Sequence, residues 1–148
     1  MRAYLLLGLL AGWLVGCGGP AAQVERSYET GCWPMTDTLR WTAEAAAGTL
    51  PLDIELKLGT DFRTQNLFLK LRYRREGGAY QEMRIEDTLM NPQGEWLQPI
   101  SGNTVDWKVD PRPQLNLPQA GTYQFELFHF MRDTLLCAVQ EVRVYSDH

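Results

Sequence analysis

Apolar side chains recur in this chain at every second position, and that period admits strands with one buried face and little else. Leu52, Ile54, Leu56 and Leu58 alternate with Asp53, Glu55 and Lys57. Leu67, Leu69, Leu71 and Tyr73 alternate with Lys70, Arg72 and Arg74, with Phe68 interrupting the polar face. Gly77-Gly78 then stands where a hairpin turns, and Gln81 to Leu89 returns with Met83 and Ile85 inward. Val105, Trp107 and Val109 form another series, Tyr123, Phe125 and Leu127 the next, and Val142 and Val144 the last; an earlier strand runs from Leu39 through Trp41 to Ala43. Asn91-Pro92-Gln93-Gly94 and Pro118-Gln119-Ala120-Gly121 read as turns, since proline presets φ and glycine accepts positive φ. Gly121-Thr122-Tyr123 has the pattern of a tyrosine corner, whose hydroxyl bonds back to upstream backbone. The only helical candidate, Ala43 to Gly48, is short and close to Pro51. Seven or so such strands predict an all-β fold, a single β-sandwich of the immunoglobulin-like or jelly-roll kind.

Ahead of these strands, Leu14-Val15-Gly16-Cys17 ends the apolar run Leu5 to Val15, which follows a single positive charge at Arg2. It resembles a bacterial lipobox, in which the cysteine thiol is acylated and the peptide bond before it is cut. A membrane-spanning helix would need roughly 20 apolar residues, and here Gly18-Gly19-Pro20 breaks the run. The bland alternative is an ordinary cleaved signal peptide with an incidental cysteine. The lipobox predicts a signal peptide over 1–16, a lipidated flexible tether over 17–28 and the β-sandwich domain over 29–148. Loss of Arg2 leaves 13 basic and 18 acidic side chains, a net charge of 13 − 18 = −5. An acidic chain has no electrostatic reason to bind nucleic acid or an anionic lipid surface. Its expected membrane partner is reached through the lipid on Cys17, each buried methylene contributing about 0.8 kcal/mol.

Residues able to carry chemistry are few. His129 has the parity of Tyr123, Phe125 and Leu127, so it is read as a hydrogen-bonded core histidine rather than a catalytic or metal-binding one. Glu86, Asp87 and Asp61 read as solvated carboxylates on polar faces or in turns. No H-E-x-x-H, Gly-x-Ser-x-Gly or phosphate-cradling loop occurs. No enzymatic activity, metal or cofactor is therefore expected. Cys32 and Cys137 read as a disulfide in an oxidising envelope, the alternative being two separate buried thiols. Trp41 and Trp107 have strand parity and belong to the core. Trp33 and Trp96 lie in or beside turns and, with Phe128 and Phe130 on the face opposite Phe125, form a candidate platform for a carbohydrate, peptide or protein partner. Arg72, Arg74, Arg75 and Arg84 are expected to share a solvated face with Glu82 and Glu86 as a cross-strand charge ladder.

An ordered set of segments also resembles a known family. Tyr28…Trp33…Asp37-Thr38-Leu39, Asn66-Leu67-Phe68-Leu69, Asp87-Thr88-Leu89, Asn91-Pro92-Gln93-Gly94-Glu95-Trp96-Leu97 and Pro118-Gln119-Ala120-Gly121-Thr122-Tyr123-Gln124-Phe125-Glu126-Leu127 follow the lipobox as they do in GldH, the gliding-motility lipoproteins. Met131-Arg132…Leu135…Val139…Val142 continues the likeness to the end of the chain. Leu136-Cys137-Ala138 departs from it, standing where the family pattern has a Pro-Gly-Ile type of turn. The resemblance implies a cell-envelope lipoprotein without a catalytic site, an interaction or assembly component associated with gliding motility and the type IX secretion apparatus. Its implied partners are other envelope proteins of that machinery. Gly18 after the cysteine, with no acidic cluster behind it, carries no inner-membrane retention or surface-export signal, so the expected location is the outer membrane, facing the periplasm. A lipid-anchored carbohydrate- or peptide-binding sandwich is the competing reading.

Overall fold

The computed structural model describes residues 22–146. Cys17 and the proposed signal segment lie outside the described residues. Twelve strands and no helix make up the described chain: β1 Val24–Ser27, β2 Cys32–Pro34, β3 Leu39–Ala45, β4 Gly48–Gly59, β5 Asn66–Arg75, β6 Gln81–Thr88, β7 Ile100–Ser101, β8 Thr104–Lys108, β9 Gln114–Leu117, β10 Gly121–His129, β11 Leu135–Cys137 and β12 Val139–Ser146. One sheet has the order β1-β12-β4-β8-β7, with β9 paired to the first residues of β4; the facing sheet has the order β3-β10-β5-β6; and β2 and β11 form a separate ribbon. Every pairing is antiparallel.

The connectivity decides between the two kinds of sandwich. Numbering β1, β3, β4, β5, β6, β8, β10 and β12 as strands 1 to 8, the sheets read 1-8-3-6 and 2-7-4-5. That is the double Greek-key wrapping of a jelly roll. The chain changes sheet at every connection between these strands except the β5–β6 hairpin, so neighbours in sequence face each other across the core. The immunoglobulin-like alternative is set aside by this order.

Alternation builds the core as one face of each strand. Leu52, Ile54, Leu56 and Leu58 of β4, Val142 and Val144 of β12, and Val105 and Trp107 of β8 are buried on one inner face. Leu67, Leu69, Leu71, Tyr123, Phe125 and Leu127 are buried on the other, where Trp41 stacks on Phe125 with ring centres 5.1 Å apart. Tyr123 makes the tyrosine corner, its hydroxyl donating to the Gln119 carbonyl at 2.6 Å. In the other turn the Asn91 side chain accepts from the backbone N–H groups of Gln93 and Glu95, and Gly94 takes φ +81°.

Four expectations are corrected here. Ala43–Gly48 is no helix: Ala43, Glu44 and Ala45 pair with Tyr123, Thr122 and Gly121, which satisfies the backbone in a way a one-turn helix could not offset. The tether assigned to 17–28 is too long, because Val24–Ser27 forms β1 against β12 and Arg26 bonds Asp37 at 2.6 Å. Backbone pairing, not an apolar period, makes this strand. Asp87 is buried rather than solvated, since it continues the inward parity of Met83 and Ile85. Arg75 leaves the charge ladder, having the parity of inward Tyr73, and bonds Ala120 and Gln119 at the sheet end.

Candidate functional site

The buried imidazole of His129 and the buried carboxylate of Asp87 are both engaged by the fold. His129 is fully buried; its Nε2 lies 2.9 Å from the Trp33 carbonyl and its Nδ1 3.4 Å from the Met131 backbone nitrogen. Those two contacts suit the neutral Nε2–H tautomer, which donates to the carbonyl and accepts from the amide. Burial holds the imidazole pKa below its ordinary 6.5, with the Trp33 carbonyl pulling the other way. A depressed folded pKa gives a stabilising contribution that is complete above the unfolded value and lost as pH falls through the folded one. The urea midpoint is therefore expected to drop as pH is lowered from about 7 to 5, and His129→Gln to flatten that dependence. An equal slope in both proteins would show that another group sets it. Asp87 Oδ2 accepts from Trp107 Nε1 at 2.7 Å and from the Asp110 N–H at 3.0 Å. Burial raises its pKa above 3.8, and those two donors oppose the rise.

The residues expected to form an aromatic platform separate. Trp33 is fully buried. It projects inward from β2 opposite Leu136, donates Nε1–H to the Asp37 carbonyl at 2.8 Å, and packs edge-on to His129 and stacked with Tyr28. Its turn-like surroundings hide a strand, so it closes one end of the sandwich and offers no surface. Trp96 is half-buried between Phe62 and Trp107, with ring centres 6.4 and 6.2 Å away. Phe128 and Phe130 remain half-buried on the outer face of the four-stranded sheet. The platform is thus not one site.

What gathers instead is a groove of about 470 Å³ beside Phe130. Its apolar wall is Phe68, Phe130, Met131 and Leu136, and Arg132 and Asp133 also line it. Phe68 and Phe130 lie 5.7 Å apart, and the Phe68 N–H points to the Met131 sulfur at 3.2 Å. Lys70 Nζ sits 5.1 Å from the Phe130 ring centre and 3.4 Å from Glu82. Farther along the same face, the guanidinium groups of Arg72 and Arg74 lie 4.5 and 4.4 Å from the centre of the Tyr80 ring, and Arg72 and Arg40 both approach Glu126. A charged field therefore borders an aromatic groove. Phe68 gave the sequence signal, as an aromatic breaking a polar face. Met131 and Leu136 gave none, because both follow β10 outside its alternation.

Cys32 and Cys137 are directly opposed on β2 and β11 and joined by a disulfide across 105 residues. Trp33 and Leu136 beside them point inward and the cysteines outward, as alternation demands. No group of three or more His, Cys, Asp or Glu side chains among the described residues is arranged to hold a metal ion. No helix among them is long and apolar enough to cross a membrane.

Fold and surface define a small jelly-roll module whose recognisable features are a groove and a charged sheet face. A sequence model of the GldH lipoprotein family matches residues 22–144, nearly all of that module, and the chain belongs to this family. Membership implies a membrane-anchored location in the cell envelope. No curated protein matches the chain. Among solved structures, one described as "Structure of infectious bursal disease virus Gx strain" aligns with 97% of this chain at 12% identity and a TM-score of 0.27. This chain spans 36% of that one, and a likeness of this degree carries no argument.

Proposed function

We propose that this protein is a lipid-anchored, non-catalytic assembly component of the envelope machinery for gliding motility and type IX secretion. Lipid on Cys17 holds it in the outer membrane, facing the periplasm, and envelope proteins of that machinery dock on the groove formed by Phe68, Phe130, Met131 and Leu136. The observation that carries this reading is the family match over residues 22–144. Two features support the non-catalytic part: the buried imidazole and the buried carboxylate both hold structural hydrogen bonds, and the groove wall is apolar. Such a wall, with charged groups beside it, suits a surface that excludes water at its centre and is polar at its rim. The competing reading, a lipid-anchored carbohydrate- or peptide-binding domain, keeps Phe128 and Phe130 but loses Trp33 to the core.

The test is affinity purification of the tagged, lipidated protein from its own envelope after gentle crosslinking. Enrichment of gliding or type IX secretion components over a tagged control lipoprotein is the expected result. Recovery of glycan, unrelated cargo or the protein alone contradicts the assembly reading.

A further inference from the structure

Strand β6 ends its sheet, and among the described residues no backbone hydrogen bond runs from Gln81–Thr88 to any strand but β5. An open edge of eight residues is a template for another strand. Its polarity is set by the pairing already present. The Leu89 N–H donates to the Gln65 carbonyl on the β5 side, so the backbone groups of Glu82, Arg84, Glu86 and Thr88 face outward. The side chains of these four residues are exposed on the outer sheet face, while Ile85 and Asp87 fill the inner one.

Charge along this edge selects an occupant. Glu82 is engaged by Lys70, but no ion pair is formed by Arg84 or Glu86 among the described residues, and Arg84 lies across from cationic Lys70. An antiparallel second copy that sets Ile85 against Ile85 places Arg84 of each copy opposite Glu86 of the other, and Glu82 opposite Thr88. Outward backbone groups then meet outward backbone groups, as ladder bonding requires. A shift of the two-fold axis by one residue sets Arg84 against Arg84 and Glu82 against Glu86, and a like-charge register of that kind is disfavoured. We infer that two copies of this chain pair through β6 across an isologous two-fold, with Arg84–Glu86 bridges fixing the register. The two four-stranded sheets then form one of eight strands. Such an axis stands across the sheet and leaves the other layer, with its β1, on the same side in both copies. Two chains anchored in one membrane need that arrangement.

The register makes a specific demand on the full-length, lipidated protein in its own membrane. Residue 82 of one copy faces residue 88 of the other, while like positions lie about six residues, roughly 20 Å, apart. Glu82→Cys with Thr88→Cys in one chain should give a disulfide-linked dimer under mild oxidant, at least about five-fold above either single variant or wild type, since hydrogen-bonded pairs bring Cα atoms within disulfide reach. Adding Arg84→Glu should reduce the yield, and adding Glu86→Arg as well should restore it. Equal yields in the double and single cysteine variants, or indifference to the charge changes, would overturn the inference. Sedimentation of the detergent-solubilised protein decides the same point without new cysteines. Wild type should form dimers, Arg84→Glu should lose them, and Arg84→Glu with Glu86→Arg should regain them; a monomeric wild type contradicts the pairing.

Discussion

Trp33→Ala is expected to destabilise the domain by about 3–5 kcal/mol, the range for truncating a fully buried aromatic. Trp33 has no exposed surface, it lies between Tyr28 and His129, and its indole N–H satisfies the Asp37 carbonyl. Removing it opens a cavity under the β2–β11 ribbon and leaves that carbonyl without its donor. Trp33→Phe keeps most of the apolar volume and loses the hydrogen bond, so a cost of roughly 1–2 kcal/mol is expected. Urea unfolding of the purified protein followed by far-UV circular dichroism measures both. A change within about 0.5 kcal/mol for Trp33→Ala would be surface behaviour and would return this residue to the ligand platform.

Replacing Cys32 and Cys137 together by serine is expected to cost about 3–5 kcal/mol for the loop of 105 residues they close. Cys137 is exposed and Cys32 half-buried, so little packing is lost with the sulfurs. The effect falls mainly on the unfolded chain, which regains the entropy that the cross-link removed. Unfolding the wild type with and without reductant gives the same comparison without mutation. Because Trp33 and Cys32 are adjacent on β2, the variant carrying both changes should lose less than the sum of the two separate losses. Equal midpoints for the oxidised and reduced protein would show that the ribbon is held by packing alone.

The sandwich was legible wherever a strand has one wet and one dry face. Leu52 to Leu58, Leu67 to Tyr73 and Tyr123 to Leu127 announce both their strands and their inward sides, and they occupy the middle of the two sheets. Legibility fails where backbone pairing outweighs side-chain pattern. Val24–Ser27 has one apolar residue in four and is a strand because β12 offers it an edge. Asp87 shows the converse: its inward parity was present, but a charged residue in a core position is recognised only once Trp107 and Asp110 supply its donors. Phe128 and Phe130 were placed on the correct outer face by parity, whereas Trp33 was not placed on any, since three residues of strand are too few to show a period. Nor could alternation give the groove, whose walls come from β5 and the residues before it, from the segment that follows β10 and from β11. The order of strands decided the jelly roll, and strand order has no local signature.

The groove as the docking surface is tested most directly by repeating the envelope purification with wild type beside Phe130→Asp, after Cys32–Cys137 oxidation and an unchanged urea midpoint have shown that the variant is folded. Wild type is expected to enrich gliding or type IX secretion components, and Phe130→Asp to lose most of them while staying in the membrane fraction. Equal recovery from both proteins would place the interface elsewhere, and absence of those components from the wild-type sample would contradict the assembly role itself.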